Sequence, residues 1–419
     1  MGVRNLSRQR IDTQSYSPVM KQKFKHLLLR RLSAKPEIIS RIATRVVSTG
    51  VTNYLTWDYA AERSRVLHYL QARRRQGFEY TFSANSTRPT LYASAYACMV
   101  LGLHGELDNL PAAQRRGWLD HFNGFQSETD GLFRDPVVAG AEFESDGNWG
   151  DGWGIRHLAA LAIIVYSRVG GTPRFRLRFL EPYFDEAYLE RWLRRFDFSQ
   201  RVWSASNYIM NLYSLLEYAR DAMGESRAAR PIGRILNWLV ERQRPDTGMW
   251  HTYKLAGYPE LGDAIRGAYH FFPLFEYEGR VVPYREKIID WILKSQNSWG
   301  GFEAENRPSG ACEDIDALEP LSRFAWQTGH RKAEVDLAVR RGMVWLLANR
   351  HADGGYESLM ENGCHHGNHP ETTSLPKQSN LFATWFRTLN LAYLATYLGL
   401  DHSFQIGRFP GYEIGLAAK

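Results

Sequence analysis

The chain has 419 residues, 44% hydrophobic and 23% charged, a balance that suits a folded globular protein and argues against disorder. Its net charge of +7 would tolerate a nucleic-acid partner, but no recognition motif accompanies the charge, so none is expected. Cys98, Cys312 and Cys364 are odd in number and far apart, which speaks against a disulfide framework and for a reducing, cytoplasmic setting.

In chain order, the first feature is basic. Between Asp12 and Glu37 there is no acidic residue, while Lys21, Lys23, Lys25, Arg30, Arg31 and Lys35 alternate with Phe24, Leu27, Leu28 and Leu29. That pattern fits an amphipathic helix resting on the inner membrane surface through residues 21–35, and equally a solvated arm. No signal-peptide core is read here, and the longest apolar run, at 158–166, is about half of the roughly 20 residues a bilayer crossing needs.

A pattern then recurs: a helix carrying Trp and Leu, a Gln, and a corner of Gly followed by an aromatic. WLVERQRPDTGMW (238–250) and WILKSQNSWGGF (291–302) share the Trp-to-Gln spacing. WLLANRHADGGY (345–356) keeps the frame with Arg350 in place of Gln, and WLDHFNGFQSETDGLF (118–133) is a looser copy. Gly supplies a turn that a β-carbon would forbid, the aromatic packs back on the stack, and Gln is placed to bond backbone in the adjacent repeat. Between these segments lie apolar helices, read as beginning at Leu91, Ile155, Ser206, Asp263, Asp314 and Asn380. Amphipathic helices alternating with apolar ones imply an outer and an inner ring. The expected fold is all-α, a single α/α toroid (α6/α6 barrel) over 80–400, with residues 1–79 as arm and early helices and 401–419 as a tail.

The Gly-aromatic element resembles the QW repeat of squalene–hopene and oxidosqualene cyclases, a superfamily that includes the protein prenyltransferase β subunits. The stretch from Cys312 to Glu357 is similar to the cyclase segment that carries an Asp-x-Asp-Asp motif, a helix and a repeat. Asp314-Ile315-Asp316 fall on three positions of that motif, and Ala317 replaces the last Asp. The resemblance implies a single-domain class II terpene cyclase that protonates a polyprenyl or prenylated aromatic substrate without a cofactor or metal. Asp316 would be the donor and Asp314 its hydrogen-bonding partner, near a helix start where Pro320 is tolerated and the dipole strengthens the acid. The same acids would also serve as an ordinary helix cap.

Candidate cavity residues are Tyr92, Trp149, Trp153, His157, Tyr208, His270, Phe271 and Trp385, whose rings would stabilise a migrating cation, together with Asp151. Two alternatives stay open. ESDGNWGDGWGIRH (144–157) sets Trp beside Asp, Asn, Arg and His, as sugar clefts do, so a glycoside hydrolase or lyase with Asp151 and Asp316 as its carboxylates is one. The other is a zinc-dependent, prenyltransferase-like site at Cys364, His365, His366 and His369, although the spacing matches no standard zinc motif.

Overall fold

In the computed structural model, the structure describes residues 36–49, 56–139, 153–258, 260–304 and 307–416. The stretch 21–35, Trp149 and Asp151 lie outside them, and Trp153 is described only as the start of a helix. The chain is mostly helical. The helices are α1 (Pro36–Thr49), α2 (Tyr59–Arg73), α3 (Leu91–Leu103), α4 (Ala112–Asn123), α5 (Trp153–Val169), α6 (Glu186–Leu193) and α7 (Val202–Asp221). They continue as α8 (Ala229–Arg242), α9 (Glu260–Tyr269), α10 (Phe272–Tyr277), α11 (Arg285–Leu293), α12 (Ala311–Thr328), α13 (Lys332–Ala348) and α14 (Leu381–Leu398). A two-residue antiparallel pair, Cys364–His365 with Thr373–Ser374, precedes α14.

Two kinds of helix alternate. The helices α3, α7, α12 and α14 are buried almost throughout, whereas α2, α4, α8 and α11 bury one stripe. The buried helices touch in succession, α3 on α5, α5 on α7, α7 on α9, α9 on α12 and α12 on α14, and α14 returns to α3. That succession is a closed circuit, and the half-buried helices pack outside it, with α4 against α5, α8 against α7, and α13 against α12 and α14.

The Gly-aromatic corners tie one unit to the next. Gln126 Nε2 donates to the carbonyls of Gly131 and Phe175 at 3.1 and 2.8 Å, Gln243 to Gly248 and Pro283 at 2.9 and 3.0 Å, and Gln296 to Gly300 and Ala338 at 3.0 and 2.8 Å. Each Gln therefore bonds its own corner and the neighbouring unit. Gly300 has φ +97° and a Cβ there would lie 2.4 Å from the Arg341 carbonyl oxygen, so only glycine fits. Phe133, Trp250, Phe302 and Tyr356, the corner aromatics, are all buried. Arg350, standing where Gln would, pairs with the buried Glu62 of α2, and the Tyr356 hydroxyl donates to the same carboxylate. The last unit is thereby joined to the first.

Two details depart from expectation. The segment 263–277, read as one helix, breaks between α9 and α10. Pro273 has no N–H to donate and its ring crowds the carbonyl of Tyr269. Pro320, expected in a first turn, lies in the interior of α12, where it leaves the Asp316 carbonyl without its helical donor.

Residues 401–416 are no loose tail. Arg408 and Ile414 form an antiparallel bridge, and Phe409 N–H donates to Glu413 O at 2.8 Å, making a hairpin with Pro410, Gly411 and Tyr412 at its tip. Gly411 turns the tip with φ +100°. The hairpin enters among the C-terminal halves of the buried helices. There Arg323 of α12 donates to the Ile414 and Gly415 carbonyls at 2.6 and 2.9 Å, and Arg168 of α5 pairs with the buried Glu413.

Candidate active site at the axis of the helix circuit

The inward face of α12 follows helical spacing: Cys312, Asp316, Glu319 and Arg323 fall on one stripe. Asp316 is 2% exposed, and its Oδ2 has no hydrogen-bond partner among the described residues. Burial, the dominant cause, holds its carboxyl well above the usual carboxylate range. Glu313 adds to the rise, Arg266 opposes it, and Asp314 contributes a further increase. The expected strengthening by the helix terminus does not decide the outcome, because Asp316 is the sixth residue of α12 and the dipole's influence falls off within the first turn.

Asp314 points elsewhere. Its Oδ1 accepts from Ser309 Oγ, and its Oδ2 accepts from Trp345 Nε1 and Arg387 Nη1, both at 2.8 Å. Asp314 and Arg387 are fully buried. With its oxygens so engaged, Asp314 binds α12 to α13 and α14, whereas the sequence suggested that it bonds Asp316. The helix cap is Gly310, without a side-chain bond, so neither acid is a conventional N-cap. Asp314 is still raised, because burial outweighs Arg387, Ser309 and Trp345.

Around Asp316 the axis is aromatic. Burial is the main cause that raises the Tyr412 and Tyr269 hydroxyls and the Cys312 thiol, and the charge of Asp316 adds to each rise. Trp385 stacks on Tyr96 (5.4 Å, 22°) and Phe386 (4.3 Å, 20°), and Tyr412 meets both Trp385 and Phe386 edge-on at 5.3 and 5.5 Å. Towards the helix N-termini, Tyr96 OH lies 3.0 Å from His366 Nε2, and His366 stacks on Phe382 at 5.1 Å. Tyr92 donates to Gly154 O at 2.8 Å and stacks on His157, its hydroxyl 3.2 Å from Nδ1. Burial drives His366 down to about 4. His157 falls well below its ordinary value through burial, then His366, then His270. These imidazoles are neutral rings, not cations. In place of the open hollow expected from the sequence, the axis holds contacting rings. A shallow dent beside them, lined by Tyr92, Phe133, Asp135, Val138, Gly154 and Leu158, has a cavity volume of about 10 Å³, room for roughly one water.

The remaining candidates divide. His270 is buried, bonded to Ser206 Oγ at 2.8 Å, and lowered to about 3 by burial. Tyr208 of α7 is 7% exposed. Phe271 packs edge-on against Trp250 and Phe198, between inner and outer helices, so its ring serves packing more than the axis. The described residues hold no group of three or more His, Cys, Asp or Glu placed for a metal; His365 is exposed and His369 Nδ1 accepts from Glu371 N–H. Tyr412, Tyr269 and Glu319 escaped the sequence reading. For Tyr412 a signal existed, since Pro410-Gly411 between alternating apolar residues marks a hairpin turn.

No family model and no curated protein matches the chain. Among solved structures it is similar to a variant of the type II terpene cyclase MstE from Scytonema in complex with geranylgeranyl dihydroxybenzoate (TM-score 0.45, 12% identity, covering 81% of this chain and 97% of that one). It is also similar to a mutant unsaturated glucuronyl hydrolase from Streptococcus agalactiae (0.45, 10%, 84% and 96%) and to a protein from Actinoplanes (0.43, 15%, 82% and 100%). At such scores and identities these likenesses do not choose between chemistries.

Proposed function

We propose that the chain is a single α/α toroid whose axis performs proton-initiated cyclisation of a polyprenyl or prenylated aromatic substrate. One observation carries this reading: Asp316 is a buried carboxyl on the inward stripe of α12, with one oxygen that has no hydrogen-bond partner among the described residues, and burial holds it well above the usual carboxylate range. An alkene is protonated only by an acid that has kept its proton and sits away from water. In the proposed step the Asp316 O–H bond breaks, a C–H bond forms at the substrate alkene, and the carboxylate is left behind. The resulting carbocation is carried along the faces of Tyr96, Trp385 and Phe386 as rings close. Loss of a proton from the last cation restores the balance, so the net reaction is an isomerisation. Entry of a chain requires the contacting rings of the axis to part. The basic stretch 21–35 would bring the enzyme to the membrane surface where such chains dissolve; no helix among the described residues is long and apolar enough to cross a bilayer.

The test is turnover of prenylated aromatic acids by wild type and Asp316→Asn. The variant is expected to stay folded, bind substrate and lose activity by at least about 100-fold, the scale of a lost general acid. Full activity in the variant removes the mechanism.

A second reading, a carbohydrate-active enzyme, is favoured by one observation. Asn211, Ser214, Ser322, Thr388 and Asn390 carry buried side-chain atoms without partners among the described residues, as hydroxyl-binding walls would. It predicts that oligosaccharides raise the melting temperature where prenylated lipids do not, and that Asp151→Asn is as damaging as Asp316→Asn.

A further inference from the structure

We propose that Tyr412, carried on the C-terminal hairpin, is the floor of the chamber that opens when the axial rings part, and sets the length of the apolar chain admitted; this rests on the cyclase reading above. From His366 near the helix N-termini to Tyr412, the rings form one chain of stacked and edge-on contacts. Tyr96 meets His366 at 5.9 Å, Trp385 stacks on Tyr96 at 5.4 Å, and Tyr412 stands edge-on to Trp385 at 5.3 Å. A ligand entering from the His366 side reaches Tyr412 last.

The backbone that carries Tyr412 is tied on both sides. Tyr393 OH donates to the Tyr412 carbonyl at 3.1 Å and accepts from Ile414 N–H at 3.3 Å. Arg323 grips the Ile414 and Gly415 carbonyls, Glu413 is paired with Arg168, and Gly415 N–H donates to Gly407 O at 3.2 Å. The one polar side-chain contact at the ring's far end, Asn207 Nδ2 at 3.5 Å from the hydroxyl, is long and leaves the phenol held by packing.

The experiment measures calorimetric affinities of 4-hydroxybenzoates carrying one to five isoprene units. Wild type is expected to bind up to a definite length and to lose at least about 10-fold beyond it, the scale of a methylene-sized mismatch in an apolar pocket. Tyr412→Ala is expected to move that cut-off to a longer chain, and Tyr412→Phe to leave it in place. An unchanged cut-off in a folded Tyr412→Ala protein overturns the proposal. If no prenylated probe binds wild type at any length, the cyclase reading fails and takes the floor with it, a result distinct from an unchanged cut-off. Should Tyr412→Ala not fold, wild-type protein labelled with 3-fluorotyrosine, its Tyr412 resonance assigned through Tyr412→Phe, supplies the same answer. The longest bound probe is expected to shift that resonance and the shortest to leave it; no shift with the longest overturns the assignment.

Discussion

Asp316 owes its chemistry to where α12 puts it. The ordinary value for an aspartate is 3.8, and burial holds this one well above that. The folded state therefore binds the proton more tightly than the unfolded chain does. The associated stability is fully present below about pH 3.8 and is lost as pH rises through the folded value. Asparagine has no proton to lose. The melting temperature of Asp316→Asn, relative to wild type, is accordingly expected to climb as pH rises above about 4 in differential scanning calorimetry. A difference that stays flat over this range would mean that the carboxyl is solvated. At this scale the sequence was only half legible. The acidic pair could be picked out by its place in the repeat, but two residues on a helix point about 200° apart. Asp314 thus faces Arg387 and Trp345 while Asp316 faces the axis, and deciding which was which required knowing the neighbouring helices.

At the scale of an element, the corner after each outer helix was the most readable part of the chain, because its logic is local. Gly300 must turn where no side chain fits, and Gln243 must satisfy carbonyls that no helix reaches. Gly300→Ala is expected to cost about 1–3 kcal/mol through backbone strain. Gln243→Ala, which strips the donor from the Gly248 and Pro283 carbonyls, is expected to cost a similar amount, about 1–3 kcal/mol. Urea titrations of both variants check these values, and a loss of less than about 0.5 kcal/mol would show that the corners are decorative. The C-terminal hairpin was not readable in the same way. Its partners Arg168 and Arg323 stand far back in the chain, and nothing in the local pattern of 408–415 announces that these cations await it.

For the whole molecule, the closing contact is Arg350 with Glu62. The sequence placed α2 before the repeated region, since no copy of the Trp-Gln pattern marks it; yet Glu62 receives both Arg350 and the Tyr356 hydroxyl in the position where the other units exchange Gln bonds. Removing the charge by Glu62→Gln leaves Arg350 without its anion. Hydrogen exchange is expected to speed up in α2 and α13 together while α7 and α8 stay protected. Faster exchange in only one of the two would mean that the seam does not couple them.

Stacked repeats usually melt from their ends, because a terminal unit has a neighbour on one side only and must be shielded by a special cap. Here the Glu62 seam leaves no terminal unit to fray. Peeling any one unit away severs two interfaces at once, so partly unwound forms are penalised twice. An architecture built from modular pieces should therefore lose its structure in a single sharp transition.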